Sequence, residues 1–395
     1  MTSGIHTRRY RALFYRNGDG KFATLSNANV LIYWPHGVGD WVFISYVLPL
    51  LEPTNRYWIT RFGDDTVSLM EGNEWATPLY VGIQTPHCHD GGSFGVRHFG
   101  LDLQEADSSE KEFLFPIPLY EACVRNKIDA VLQTSFPEVH GTVGFPFHTK
   151  GRNILRELAS EDCYRHFSLS RSLKTTINFD VGQLMARWIE ARLKAYLGLG
   201  ERRLCVIGRT GYTATGKNWG HRWREEMPEG KRIEGEECRD FIKLMTKKDP
   251  KWSFLVMEDG LFAGDDTVRN VELNAFSYAE LFGEVGSGSI PFGLVMKSLV
   301  NFADLVVGVP AGPLHLAMAK SDLPTVGIWT EHFPSWYDEP KNASIHIVSK
   351  NVVEQNLDAR TGSFVEKEDL RFRLIYAGTR VIEGEQVLNA VEQLL

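Results

Sequence analysis

The chain has few cysteines for its length, and they lie far apart. The 395 residues include five of them, at Cys88, Cys123, Cys163, Cys205 and Cys238. No two form a Cys-x-x-Cys pair, and their odd number does not fit a complete disulfide framework. Scattered single cysteines are typical of reducing compartments, so we expect a cytoplasmic protein.

Long apolar segments are also missing. The longest run, residues 41–51, is about half the length of a membrane-spanning helix and contains Pro49. The first twenty residues are polar and basic and lack the apolar segment of a secretory signal. These features predict a cytoplasmic protein that could at most lie on a membrane surface.

Excess positive charge and several catalytic motifs are absent as well. The chain has 43 Lys and Arg against 50 Asp and Glu, and this net charge of -7 disfavours a nucleic-acid partner. Neither Gly-x-Ser-x-Gly nor His-Glu-x-x-His occurs, which removes support for a serine hydrolase or a zinc protease. The histidines at 87–98 do not have zinc-site spacing, so we predict no metal.

The chain does contain two successive series of apolar strands and helices. In the first series, strands are predicted at 29–35, 56–61 and 78–83, and helices from Asp40 and at 65–72, 120–136 and 179–198. In the second, strands are predicted at 203–208, 252–259, 305–309 and 324–329, and helices at 237–248, 278–285, 296–304, 312–320 and 384–395. Residues 84–116 show little periodicity and predict mostly loop.

This alternation predicts an α/β protein with parallel sheets. We expect an N-terminal arm or short hairpin at 1–28, a Rossmann-like domain at 29–198 and a second at 199–395. The last helix belongs to the second domain, with the option that it packs back on the first. A cleft between two such domains is the expected place for a ligand.

The stretch GYTATGKNWG, residues 211–220, is close to a nucleotide-binding P-loop but does not complete it. Lys217 is followed by Asn218, where a P-loop has the Ser or Thr that holds Mg²⁺. The glycines and the proline that follow do not suit the helix a P-loop requires. Arg209 and Lys217 after a strand instead favour a different anion-binding loop, the alternative being an ordinary surface loop.

Two other glycine-containing turns follow predicted strands. In HGVGD, residues 36–40, Gly37 and Gly39 let a ligand approach the backbone beside His36. Asp40 is either a helix N-cap or a catalytic carboxylate. In the second turn, the amides at the helix start formed by Gly312 and Pro313 predict an anion site.

Four further residues lie near predicted strand ends, and two interpretations stay open for each. His315, in the first turn after Pro313, either donates to a ligand or packs inside. Met257 and Glu258 either reach a nucleobase or form a strand-end turn. The aromatic loop beginning at Trp329 either lines a sugar or base pocket or packs on its own domain.

Three of these segments together resemble family 9 of the glycosyltransferases, the ADP-heptose:lipopolysaccharide heptosyltransferases. HGVGDWVFISYVLPLL resembles the family's opening, Lys217-Asn218-Trp219 its Lys-x-Trp, and the segment from Ala303 to Tyr337 its later motif. The resemblance implies a GT-B architecture, two Rossmann-like domains with parallel sheets facing across a cleft. It implies an acceptor domain first, then a nucleotide-sugar donor domain.

The resemblance also implies an inverting, metal-independent enzyme without a cofactor. It makes Asp40 the catalytic base and places Lys217, Gly312, Pro313 and His315 at the donor phosphates. In the acceptor domain that it implies, His36, Gly37 and Gly39 would form the acceptor side. From the residues themselves we expect Arg209 at the phosphates, and a sugar or nucleobase pocket formed by Met257, Glu258, Trp329 and Glu331.

One difference from the family pattern stands beside the phosphate turn. The family usually has Asp-Thr or Asp-Ser before the Gly-Pro, whereas this chain has Pro310-Ala311. The difference disfavours ADP-heptose as the donor. The resemblance as a whole predicts transfer of a heptose or related sugar from a nucleotide diphosphate-sugar to a hydroxyl group of a glycan, a lipid-linked acceptor or a protein. A lipid-linked acceptor would bring the enzyme into peripheral contact with the inner face of the inner membrane. The alternatives are a non-catalytic sugar-nucleotide or carbohydrate-binding relative and a nucleotide-sugar epimerase.

Overall fold

The structure is a computed structural model that divides into two compact units, Met1–Asn178 and Phe179–Leu395. The residues that it describes are 7–13, 27–33, 38–50, 53–60, 66–80, 110–116, 122, 124–128, 130–133, 175–209, 233, 235–257, 273–282, 291–320, 322–330, 344–356 and 373–395. Among them, no helix is both long and apolar enough to cross a membrane.

The first unit contains a four-stranded parallel sheet. In chain order its elements are β1 (Thr7–Leu13), β2 (Asn29–Tyr33), α1 (Val38–Val47), β3 (Arg56–Thr60), β4 (Ala76–Pro78), β5 (Glu110–Pro116) and β6 (Ala130–Gln133). Short 3₁₀ helices cover Leu48–Leu50 and Val67–Met70. The sheet has the order β4-β3-β2-β6, while β1 and β5 form a separate antiparallel pair.

The second unit contains a seven-stranded parallel sheet with the order β13-β12-β11-β10-β7-β8-β9. Its first elements are α2 (Gln183–Leu197), β7 (Arg203–Gly208), α3 (Gly235–Lys248), β8 (Trp252–Met257), β9 (Ala275–Ser277) and α4 (Tyr278–Phe282). The remainder are α5 (Phe292–Phe302), β10 (Leu305–Gly308), α6 (Gly312–Ala319), β11 (Thr325–Trp329), β12 (Ser344–Val348), α7 (Lys350–Asn356), β13 (Arg373–Tyr376) and α8 (Gly384–Leu394).

Two predicted segments of the first unit contain strands that the sequence did not predict. The helix predicted at 120–136 does not continue through its second half, because Lys127 has a positive φ of 51° and Ala130–Gln133 then forms β6 beside β2. The loop predicted at 84–116 includes the strand β5, which pairs with β1 from the N-terminal arm. In both places pairing with a distant strand outweighs the local pattern.

The clearest predicted helix is confirmed as α2, and it ends as expected at Gly198, which has a left-handed φ of 65°. It packs within the second unit. Trp188 lies against Phe282 of α4 with ring centroids 5.9 Å apart, and the Arg192 guanidinium donates to the carbonyl of Leu281. The units therefore divide before α2, whereas we expected the first domain to continue to residue 198.

The last helix, α8, packs on α3 of the second unit. A Cβ placed on Gly384 would lie 2.6 Å from the Phe241 nitrogen and 2.8 Å from the Glu237 carbonyl oxygen, so the helices approach too closely for a side chain. The Gly384 amide donates to the Glu237 carboxylate at 2.9 Å. The C-terminal helix thus packs on one face of the second sheet.

Candidate functional site

The second sheet reverses its strand order beside its first strand. From β7, the strands β8 and β9 are added on one side, and β10 to β13 on the other. In an open parallel sheet, such a reversal leaves a crevice outside the carboxyl ends of the two central strands, where ligands bind. We call this place the switch point of the second unit. Its two strands end at Gly208 and Gly308, which are direct partners in the sheet.

The backbones at this switch point are unusually close together. A Cβ on Gly308 would lie 3.1 Å from the carbonyl oxygen and 3.2 Å from the Cα of Gly208. The Val309 amide donates to that same carbonyl at 3.0 Å. A Cβ on Gly208 would lie 3.5 Å from the Cβ of Pro313. The start of α6 therefore lies against the end of β7. The spacing of these residues in the sequence does not predict this contact.

The start of α6 presents backbone amides without a side-chain cap. Its N-cap is Ala311, an extended residue at φ −141° and ψ 176°, and no described side chain caps the helix there. The first backbone bond runs from the His315 amide to the Ala311 carbonyl at 3.0 Å. Gly312 and Leu314 follow the cap, separated by Pro313, which has no N–H. An anion is stabilised at such a helix start by the amides and the helix dipole.

Arg209 follows β7 directly and is 5% exposed. Its Nε donates to the Ile233 carbonyl at 3.0 Å, and the Ile233 amide donates to the Arg209 carbonyl at 2.8 Å. Ile233 itself is buried in the main core of the second unit. The structure thus places a cation where the sequence predicts one, and fixes one edge of its guanidinium on the protein backbone.

Three other predicted site residues are buried in the second unit. His315 is 4% exposed and Met257, the last residue of β8, is 8% exposed. Trp329 is fully buried in a cluster with residues of α6, β12 and α7. Of the two interpretations left open for Trp329, the structure supports packing within its own domain.

The indole of Trp329 is held by a buried histidine of the neighbouring strand. Its Nε1 donates to Nδ1 of His346 at 2.6 Å, and Nε2 of His346 lies 3.3 Å from the Ser344 hydroxyl. Burial lowers the pKa of His346 to about 3, so the imidazole is neutral at pH 7. A Cβ on Gly327 would lie 2.3 Å from His346 Nδ1, so this contact requires glycine there.

In the first unit, Asp40 stands at the corresponding topological position. The strands β3 and β4 are added on one side of β2 and β6 on the other, so the order reverses between β2 and β6. The helix α1 follows β2 and begins at Val38, so Gly39 and Asp40 are its second and third residues. The N-cap interpretation of Asp40 is therefore wrong. A carboxylate in this first helical turn is favoured by the helix dipole.

The far end of α1 is fixed by a returning segment of the same unit. The Ser45 hydroxyl hydrogen-bonds the Thr175 hydroxyl at 2.7 Å, and the Thr176 hydroxyl donates to the Ser45 carbonyl at 2.7 Å. The side-chain amide of Asn73 donates to the Thr176 carbonyl at 2.8 Å. These bonds hold the helix that carries Asp40 against the rest of its unit.

The remaining predicted site residues lie outside the described residues: His36, Gly37, Lys217, Glu258 and Glu331. Sequence reasoning in turn missed Gly208, Gly308 and Ile233 as residues that shape the site. A glycine that ends an apolar strand is a signal of close backbone approach, and it was available for the first two. Nothing local marks Ile233, whose partner Arg209 lies 24 positions earlier.

Comparison with known proteins gives matches only among solved structures. No protein-family model matches the chain, and no curated protein matches it in sequence. The structure of a glycosyl transferase family 9 protein from Veillonella parvula is similar with a TM-score of 0.53 and 14% identity, over 94% of this chain and 98% of that one. Escherichia coli ADP-heptose lps heptosyltransferase II is similar with a TM-score of 0.50 and 13% identity, over 93% and 98%.

These similarities establish the fold. They span nearly the whole chain and both units, and they confirm the expected α/β protein of the GT-B class with two Rossmann-like domains and parallel sheets. The family named for the Veillonella protein is the one that the sequence motifs resemble.

Proposed function

We propose that this protein is a glycosyltransferase that acts with inversion and without a metal. It moves a sugar, a heptose or a related one, from a nucleotide diphosphate-sugar to a hydroxyl group of a glycan, a lipid-linked acceptor or a protein. The observation that carries the proposal is the switch point of the second unit, where Gly208, Gly308 and the uncapped start of α6 meet.

The proposed donor site follows from the charge of the leaving group. Glycosyl transfer releases a nucleoside diphosphate, and the developing negative charge must be stabilised. At this switch point the helix amides near Gly312 and Pro313 offer donors, and Arg209 adds a buried positive charge. Lys217, from the segment that follows Arg209, would supply a second cation, so that cationic groups take the place of a metal.

Asp40 is the proposed general base. Transfer needs a group that accepts the proton of the acceptor hydroxyl as this oxygen attacks the anomeric carbon. Asp40 lies in the first turn of the helix after the central strand of the first sheet, where a Rossmann-like unit holds its ligand-binding residues. Attack on the face opposite the departing diphosphate inverts the anomeric centre. His36, Gly37 and Gly39 would border the acceptor.

A second candidate is a non-catalytic sugar-nucleotide-binding protein. The observation that favours it is Ala311 at the N-cap of α6, because alanine offers no oxygen to a donor sugar or phosphate. In that case the amides would hold the diphosphate while the sugar stays unreacted. The two candidates share the donor site and differ in whether Asp40 meets an acceptor.

A thermal-shift screen against nucleoside diphosphates and nucleotide-sugars tests the shared part. We expect one nucleobase series to raise the melting temperature, because a ligand bound only to the folded state stabilises it. Product analysis with that donor and candidate acceptors then separates transfer from binding alone. If no nucleotide raises the melting temperature at millimolar concentration, the proposed donor site is refuted.

A further inference from the structure

We propose that Arg209 is a positioning residue for the donor site, and that it acts by joining the two ends of the segment that carries Lys217. This inference rests on the proposed function, in which Lys217 contacts the donor diphosphate. It gives Arg209 a second task, beyond the positive charge that the proposed function assigns to it.

The geometry at Arg209 and Ile233 supports this role. The two residues exchange two hydrogen bonds, one from the Arg209 Nε to the Ile233 carbonyl and one from the Ile233 amide to the Arg209 carbonyl, at 3.0 and 2.8 Å. We call this pair of bonds the bracket. Residues 210–232, including Lys217, lie between the two members of the bracket in the sequence.

Both members of the bracket are fixed to the domain. Arg209 continues β7 directly after Gly208, at the switch point. Ile233 is 6% exposed, packs in the main core cluster, and lies two residues before the start of α3 at Gly235. The bracket therefore holds Ile233, the described residue that follows the segment, at the carboxyl end of the central strand, beside the proposed phosphate site.

Burial makes the side-chain bond of the bracket consequential. Arg209 is 5% exposed, and its bond to the Ile233 carbonyl is buried. A buried carbonyl that loses its donor costs more than an exposed one, because water does not replace the lost bond. A substitution that removes only the Nε–H should therefore loosen the bracket without removing the charge.

Two substitutions separate position from charge. In Arg209→Gln, the side-chain amide nitrogen is attached to Cδ, as Nε is in arginine, so it still donates to Ile233 but carries no charge. In Arg209→Lys, a methylene group takes the place of Nε, so the charge remains while this donor is lost. The same pair of substitutions at the exposed Arg203, which begins β7 at the opposite edge of the sheet, is the matched control.

The first measurement needs no ligand. Hydrogen exchange of the Ile233 amide, labelled in the intact protein and located by mass spectrometry with single-residue fragmentation, reports the bracket directly. We expect roughly tenfold faster exchange in Arg209→Lys and less than about threefold change in Arg209→Gln, in line with the loss of one buried bond. Equal exchange in Arg209→Lys and the wild type would overturn the positioning role.

The second measurement is affinity for ADP, UDP and GDP by calorimetry. We expect Arg209→Lys to lower the affinity for the nucleotide about tenfold. Arg209→Gln should lower it less, since the bracket survives in the glutamine variant. The reverse order would show direct charge contact and overturn the inference. If wild-type protein binds none of the three, the proposed function fails, while the exchange measurement still decides whether the bracket exists.

Discussion

The two sheets have the same arrangement around their first strand but different chemistry at its carboxyl end. In the first unit, β2 is flanked by β3 and β6; in the second, β7 is flanked by β8 and β10, and the strand order reverses in both. The segment after β2 leads into a helix with a carboxylate, Asp40, in its first turn. The segment after β7 begins with a buried cation, Arg209.

Under the proposed function, one topology would serve two chemical tasks. A parallel sheet with reversed strand order provides a crevice at a fixed place, whatever residues the following loops contain. An acidic residue there suits proton abstraction, while a cation beside helix amides suits a diphosphate. The units are therefore alike in strand order, and the assignment of acceptor and donor sides depends on the loop residues.

Asp40→Asn should have the largest effect. If Asp40 is the base of the first unit, transfer should fall at least ~100-fold, because a general base contributes that much or more. Affinity for the nucleotide diphosphate should stay unchanged. Asp322→Asn, at an exposed carboxylate 3.9 Å from Lys320, is the matched control in the second unit. Transfer by Asp40→Asn at close to the wild-type rate would remove the base from the proposed mechanism.

Lys217→Ala should act on binding through the second unit. Losing a charge-assisted contact to phosphate should weaken nucleotide diphosphate binding by roughly 10- to 100-fold in calorimetry. Lys243→Ala is the control, because this exposed lysine of α3 forms only a surface ion pair, with Asp240 at 3.2 Å. Unchanged affinity in Lys217→Ala would remove this lysine from the proposed donor site. The proposed cation of the second unit would then be Arg209.

Gly308→Ala should reduce stability by separating the two strands at the switch point of the second unit. Its Cβ would meet the Gly208 backbone at 3.1 Å, so the strands must separate slightly, and we expect a loss of roughly 1–3 kcal/mol in the free energy of unfolding. Gly208→Ala meets its nearest atom at 3.5 Å, an ordinary contact, and should change stability by less than about 0.5 kcal/mol. Denaturant titration of both variants checks this. Equal stability of the two would show that the close approach is relaxed at no cost.

Lowering the pH should reduce the free energy of unfolding of the second unit through His346, and this is the smallest of the four predicted effects. The folded unit holds this imidazole neutral with a pKa of about 3, whereas the ordinary value is 6.5. The unfolded chain therefore binds the extra proton between these values, and stability present above pH 6.5 is lost as the pH falls toward 3. At pH 5.5 the loss should be about 1.4 kcal/mol.

His346→Gln is the variant that isolates this effect. Glutamine still offers an oxygen to the Trp329 indole but does not titrate. Between pH 7.5 and 5.5, its free energy of unfolding should therefore change by about 1.4 kcal/mol less than that of the wild type. If both proteins lose the same stability over this range, His346 is not the group that responds.

Much of the second unit could be read from its sequence. Its strands are short apolar runs ended by glycine, proline or charge, and β7, β10 and β11 lie within a residue of the predicted bounds. The helices α3, α6 and α8 likewise match their predicted ranges to within two residues. Local patterns suffice there because strands and helices alternate regularly.

The first unit was harder to predict, for a physical reason. The strands β1 and β5 pair with each other across about a hundred residues of sequence, and β6 becomes a strand only because β2 offers it an open edge. In α2, the apolar side chains of Leu184 and Tyr196 are 85% and 44% exposed. Which side of a helix is covered depends on the elements opposite it.

The sequence by itself determined the alternation of strands and helices in the second unit and the end of α2 at Gly198, since each depends on neighbouring residues. Only the tertiary structure decided that Gly208 and Gly308, 100 positions apart, end side by side, and that Arg209 binds the backbone of Ile233. Hydrogen bonding between parallel strands and the burial of a side chain join residues far apart in the chain, so no local pattern encodes them.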